Sequence, residues 1–232
     1  MKYIIKIALT PSAWMRTQAS ASHWDEMLVE TIHNPIPDSF FKVRDPKACK
    51  KALGLSHDKP VVLCVAGNLD EERKGGLILK EILSSSLPDL AQFVLIGNGK
   101  GYDNSDPRRI NSLGFVRDEV TMQIAYQAAD LLLHPAPIDN LPNTVAEAMC
   151  CGTPTLAFDT GGLPEMIIPG KSGWLVKQQS AQSIITELRN LLASRSYESL
   201  RDSTRDTARN LFSEHIIASK YLAHFDSCTS LS

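Results

Sequence analysis

Four stretches of the chain are apolar without alternation: "PVVLCVA" at 60–66, "QFVLI" at 92–96, "ADLLLH" at 129–134 and "PTLAF" at 154–158. Each is short and each runs into a turn built from glycine or proline. Runs of this kind are expected of strands buried on both faces of a parallel sheet. Between them the pattern predicts helices over 74–86, 118–128 and 143–150. A further helix over 180–193 follows the "SGWLV" run. Strand and helix in alternation imply right-handed crossovers and an α/β domain with a Rossmann-like, doubly wound parallel sheet.

The ends of the chain read differently. Residues 34–46, "NPIPDSFFKVRDP", hold three prolines and read as a connector. Before it, "TPSAWMRTQASASHW" reads as a strand end followed by a helix, and residues 1–33 are expected to be the last piece of a neighbouring domain. Residues 34–202 form the main domain. Residues 203–232 are read as a C-terminal helix, with Ala208, Leu211, Phe212, Ile216, Tyr221 and Phe225 as its apolar stripe.

Composition narrows the partners. The chain has 232 residues, 43% hydrophobic and 22% charged, which suits one large domain or one domain plus a fragment. A net charge of −2 gives no nucleic-acid footprint. No apolar run approaches the roughly 18 residues of a membrane-spanning helix. The opening "MKYIIKIAL" lacks a small-residue cleavage site, so it is not read as a signal peptide. Five cysteines without C-x-x-C or paired Cys/His spacing argue for buried thiols in a reducing compartment.

In an open parallel sheet, ligands bind beyond the carboxyl ends of the strands. "AGNLDEERKGG" follows the first run and carries Gly67, Asn68, Arg73 and Lys74. "GNGKG" follows the second and begins at Gly97. "HPAPIDNLPNT" and "DTGGLPE" follow the third and fourth, the latter with Gly161 and Gly162. Glycine lets backbone approach a ligand closely, and helix starts present free N–H groups and a positive dipole end. Two such starts, at Asn143 to Val145 and at Gly162 to Glu165, are expected on one edge, with Lys74 as a mobile cation. Such a site fits a diphosphate and needs no metal. Asn143 is read as the N-cap of its helix, with Val145, Ala148 and Met149 facing the core. Glu147 then faces the crevice and can accept from adjacent hydroxyls, as on ribose. Asp139, eight residues earlier, can accept from hydroxyls at the other end of the ligand. His134 is read as a neutral packing residue.

These residues carry a resemblance. "DNLPNTVAEAMCCGTPTLAFDTGGLPEMI", with "GKSGWLV" after it, resembles the donor-binding signature of the retaining family-4 glycosyltransferases, whose fold is termed GT-B. "AGNLDEERKGG" is similar to that family's phosphate loop, and "GFVRDEVTMQIAYQAADLLLHPAPIDN" to the run before its first acid. The resemblance covers about residues 30–225, and "TPSAWM" and "HNPIPDSFF" are similar to the family's interdomain passage.

The resemblance implies the C-terminal, donor-binding half of a GT-B fold. It implies that Glu147 holds the ribose of a nucleoside-diphosphate sugar and Asp139 the sugar hydroxyls. Lys74 would neutralise the departing diphosphate, Leu141, Pro142, Asn143 and Thr144 would hold the distal phosphate or sugar, and Phe115 and Val116 would flank the base. Asn68 stands where the family has an arginine, and Asp139 is one methylene shorter than the usual glutamate. The implied reaction is sugar transfer with retention to an acceptor glycan or glycolipid, in polysaccharide or glycolipid synthesis. The implied place is cytoplasmic, at the inner membrane face. Because the acceptor domain is almost absent, the chain is expected to bind nucleotide or nucleotide-sugar weakly and to turn over poorly alone. A sugar-nucleotide 2-epimerase of the same architecture, and a non-catalytic nucleotide-binding module, are the alternatives.

Overall fold

The computed structural model describes residues 7–22, 28–102, 106 and 108–229. Parts of the 1–33 reading, including the first six residues, lie outside the described residues, as do the last three of the C-terminal reading.

The chain opens with β1 (Ile7–Thr10), α1 (Ala13–Ser20) and β2 (Leu28–Thr31). β1 and β2 pair in parallel as a two-stranded sheet of their own. A short 3-10 turn, Asp38–Phe41, and α2 (Pro46–Ala52) follow. The connector reading of 34–46 passed over α2. Its first residue is Pro46, and a proline at the first helical position costs no hydrogen bond. Asp45 caps it by accepting from the Lys47 and Ala48 amides.

Then come β3 (Val61–Asn68), α3 (Gly76–Leu83), α4 (Leu87–Leu90), β4 (Gln92–Asn98), β5 (Ile110–Gly114), α5 (Glu119–Ala128) and β6 (Leu131–His134). The helix expected over 74–86 is thus shorter and is preceded by a 3-10 turn, Glu72–Lys74. The chain continues through α6 (Asn143–Cys150), β7 (Thr155–Phe158), α7 (Leu163–Met166), β8 (Gly173–Val176) and α8 (Ala181–Ser194). It ends in α9 (Arg201–Phe212) and α10 (Glu214–Thr229). The single C-terminal helix expected from 203 is therefore two, parted at Ser213, whose ψ of 139° is extended. Ala208, Phe212 and Ile217 are buried, whereas Phe225 of the expected stripe is exposed.

Strands β3 to β8 form one parallel sheet in the order β5-β4-β3-β6-β7-β8. Chain order reverses between β3 and β6, the switch point at which loops on neighbouring strands diverge and leave a crevice. The continuous apolar runs feed two cores at once. Val61 and Leu63 pack on one face with Tyr126, Val145, Met149 and Phe212. Val62 and Cys64 pack on the other with Leu79, Ile82, Ile184 and Leu188. Each such side chain stabilises the fold by about 1.5–3 kcal/mol on full burial. Cys49, Cys64, Cys150 and Cys151 are buried and free.

Candidate donor site

The site lies at the carboxyl ends of β3, β4 and β6. A crevice of about 340 Å³ is lined by Gly67, Gly97, Phe115, Val116, Thr144 and Glu147, with Pro37 and Phe40 of the connector closing one side. Phe115 is 52% exposed, and the Arg117 guanidinium lies 5.9 Å over its ring. Gly97 has a φ of 141°, and a Cβ there would fall 1.8 Å from the Ala66 carbonyl oxygen. Only glycine lets β4 leave the sheet this close to β3.

Glu147 is held at the crevice by its helix. Val145, Ala148 and Met149 are fully buried, so the opposite side of α6 carries Glu147 outward, half-buried. The Tyr126 hydroxyl donates to its Oε2 at 2.8 Å. Burial pushes the Glu147 carboxyl up, the Tyr126 hydrogen bond opposes that rise, and the charge of Glu119 adds to it. Tyr126 was quoted in the motif but given no role. The signal was there, because an aromatic hydroxyl buried at 0% exposure needs a partner.

Lys74 and Asp139 meet next to this crevice, on the same rim. Lys74 Nζ is 2.7 Å from Asp139 Oδ2, and Asp139 Oδ1 accepts from the Asn140 amide at 2.9 Å. Burial would raise the Asp139 carboxyl, but contact with His134 and Lys74 and their charge outweigh it. The carboxyl is held well below the usual carboxylate range. His134 closes β6 beside this pair, with its Nε2 3.4 Å from Asp139 Oδ2.

Several other expected site residues are not among those lining the crevice. Arg73 is exposed, and its guanidinium is paired with Glu71 at 2.9 Å. Asn68 accepts from the Asp70 amide and sits exposed at the end of β3. Asn143 is not an N-cap: Pro142 occupies that position, Asn143 is the first helical residue, and no side chain caps the start. A proline with φ of −66° already sets the entry, which moves the helix start one residue earlier. Leu141 is buried, and of these four residues Thr144 lines the crevice.

The second expected helix start is engaged by protein. α7 is only four residues long. A Cβ on Gly161, with φ of 59°, would meet the Asp139 carbonyl oxygen at 1.9 Å, and one on Gly162 the Asn140 oxygen at 1.8 Å. The glycine pair therefore lets this loop lie against the backbone that carries Asp139. Glu165 accepts from the Ala13 and Trp14 amides at 2.7 and 2.8 Å, capping α1. Ser12 donates to the Asn140 side chain. The N-terminal segment is thus tied to the Asp139–Asn140 loop, a contact across more than a hundred residues.

Among the described residues, no group of three or more His, Cys, Asp or Glu side chains is gathered as metal ligands would be. No helix among them is long and apolar enough to cross a membrane.

Comparison with known proteins gives the family and the fold. In sequence, D-inositol 3-phosphate glycosyltransferase of Mycolicibacterium paratuberculosis is 28% identical over 173 residues, covering 69% of this chain and 38% of that protein. The chain therefore spans less than half the length of that curated relative. In structure, sucrose-phosphate synthase from Thermosynechococcus elongatus superposes with a TM-score of 0.81 at 22% identity, over 97% of this chain and 59% of that one. Anabaena HepE, solved in complex with UDP and glucose, superposes at 0.77 and 20% identity, over 96% and 63%. The sheet is the Rossmann-like half of the GT-B fold that these neighbours share. A family model described as glycosyl transferases group 1 matches residues 59–194, the span that contains Lys74, Asp139 and Glu147, and the chain belongs to that family.

Proposed function

We propose that this chain is the donor-binding half of a retaining glycosyltransferase and holds a nucleoside-diphosphate sugar across the sheet's switch point. The observation that carries the reading is that Lys74, after β3, pairs with Asp139, after β6, at the strand ends beside the crevice that Glu147 of α6 lines. The base enters between Phe115 and Val116, and Glu147 accepts from the ribose hydroxyls. Lys74 stabilises the charge that grows on the diphosphate as the glycosidic bond breaks, an electrostatic contribution that is largest in the transition state. Asp139 accepts from hydroxyls of the sugar. The positive potential for the diphosphate comes from Lys74, and no metal is part of this reading. UDP and glucose in HepE support a uridine nucleotide as the first donor to try.

The acceptor is a glycan or glycolipid brought by a further domain, to which β1, α1 and β2 belong. Alone, the chain binds donor and turns over poorly. Calorimetry with UDP, GDP, ADP and UDP-glucose tests this. Binding of at least one nucleotide, lost in Glu147→Ala, is expected. No binding at millimolar ligand overturns the reading.

A further inference from the structure

One buried polar atom beside the site forms no hydrogen bond. His134 is the last residue of β6, its side chain is 6% exposed, and its Nε2 makes no hydrogen bond. It stands 3.4 Å from Asp139 Oδ2, the same oxygen that Lys74 holds at 2.7 Å. The titratable groups around the ring are few. Lys74 comes from the turn before α3 and Asp139 from the loop after β6. The Cys64 thiol of β3 lines the same small cavity as His134 and Lys74, and burial pushes it far above the usual thiol range. Cys64 therefore contributes no charge.

Buried polar side chains are paired as a rule, so an orphaned nitrogen calls for an explanation. An ammonium and an imidazole face one carboxylate oxygen here, and Lys74 occupies it. Lys74 is the mobile one: an ammonium on a flexible stem, a quarter exposed. His134 is fixed in a strand end. A diphosphate in the crevice competes with Asp139 for Lys74. When it wins, the carboxylate, only 11% exposed, loses its short ion pair in a place water barely reaches. A shift of a few tenths of an ångström would bring the imidazole N–H into hydrogen-bond range of the same oxygen.

We propose that His134 is a positioning residue of the donor site, which takes over Asp139 when the donor's diphosphate draws Lys74 away. Asp139 then stays ionised and in place for the sugar while Lys74 serves the phosphate. The inference rests on the donor-site reading above and adds to it a handover of Asp139 from Lys74 to His134.

Imidazole nitrogen NMR of the chain, with and without saturating UDP, reads the handover directly. In the wild type, UDP should move the His134 Nε2 signal to a protonated, hydrogen-bonded position. Asp139→Asn should abolish that change. Calorimetry supplies the second arm. His134→Leu should weaken UDP-glucose about tenfold and UDP about threefold, and His134→Gln, which restores an N–H donor, should recover most of both. The NMR readout requires no change at position 134, so a misfolded variant does not block the test. The same Nε2 change in Asp139→Asn overturns the handover, because the ring would then be answering the phosphate itself. Unaltered affinities in a folded His134→Leu overturn it too. A wild type that binds neither probe removes the donor-site reading and the handover together. Wild-type binding that is indifferent to His134 removes the handover alone.

Discussion

Replacing Gly162 with alanine tests the frame of the site with one methyl group. The backbone there has φ of −90°, which any residue adopts, so the effect is one of contact and not of strain. The new Cβ would lie 1.8 Å from the Asn140 carbonyl oxygen and 3.2 Å from the Ser12 Cβ. Ordinary contact begins near 3.4 Å, so the Asn140 carbonyl must retreat by about 1.6 Å. The retreat pulls on Asp139, whose own carbonyl accepts from the Gly162 amide at 3.0 Å and whose carboxylate holds Lys74. Overpacking of this kind costs about 1–3 kcal/mol. At about 2 kcal/mol, and about 2–4 °C for each kcal/mol in a chain of this size, the melting temperature falls by about 4–8 °C. On the proposed reading, a displacement above 1 Å also takes Asp139 out of register with the sugar, and UDP-glucose should bind about tenfold more weakly.

Thermal unfolding and calorimetry with UDP-glucose read the two effects separately. Gly67→Ala is the comparison: a Cβ there meets nothing within 4 Å, and the position lines the crevice. It should leave the melting temperature unchanged and weaken the nucleotide only. Should Gly162→Ala keep both stability and affinity, the loop yields without carrying Asp139, and the claim that the glycine pair sets that acid's place is refuted.

Three further outcomes are expected. Nucleotide affinity should fall on mild acidification, at pH values where an exposed glutamate remains ionised, because the raised Glu147 carboxyl protonates first; Glu147→Gln should bind more weakly at neutral pH and lose that pH dependence in calorimetric titrations. Tyr126→Phe should cost about 1–3 kcal/mol in denaturant unfolding and shift the acid weakening of nucleotide binding to higher pH, since the hydroxyl opposes the rise of Glu147. Lys74→Met should destabilise the free chain by about 3 kcal/mol by leaving the Asp139 carboxylate buried beside a lone imidazole. That deficit should shrink as the pH drops, because the depressed Asp139 carboxyl contributes stability above its ordinary range and loses it as pH falls through the folded-state value.

What was legible in the sequence was what local pattern encodes. β3, β4, β6 and β7 stand out because both of their faces are buried, as Val61 and Val62 show by entering opposite cores. β5 escaped because it is the edge strand, half-buried along its whole length, and "INSLG" makes no apolar run. Within the site, Glu147 could be aimed from the buried positions on its own helix. Glu165 could not: its partners are the Ala13 and Trp14 amides, some 150 residues away, and a first-turn acid looks the same whether it serves its own helix or another. The surroundings of His134 were equally illegible, because Lys74 and Cys64 reach it from β3 and the turn that follows.

The two acids eight positions apart look alike in the sequence and are set in opposite directions by the fold. Asp139 sits between Lys74 and His134 and is held ionised at any ordinary pH. Glu147 has one neutral donor and a neighbouring negative charge, and it meets protons early. Acid should therefore loosen the nucleotide end of a bound donor while the sugar end is still held. Comparing the pH dependence of UDP with that of UDP-glucose separates the two ends. Both affinities should decline together through the Glu147 transition, and their ratio, which reports Asp139, should stay level. A ratio that collapses over the same range would mean that the sugar is not held by Asp139.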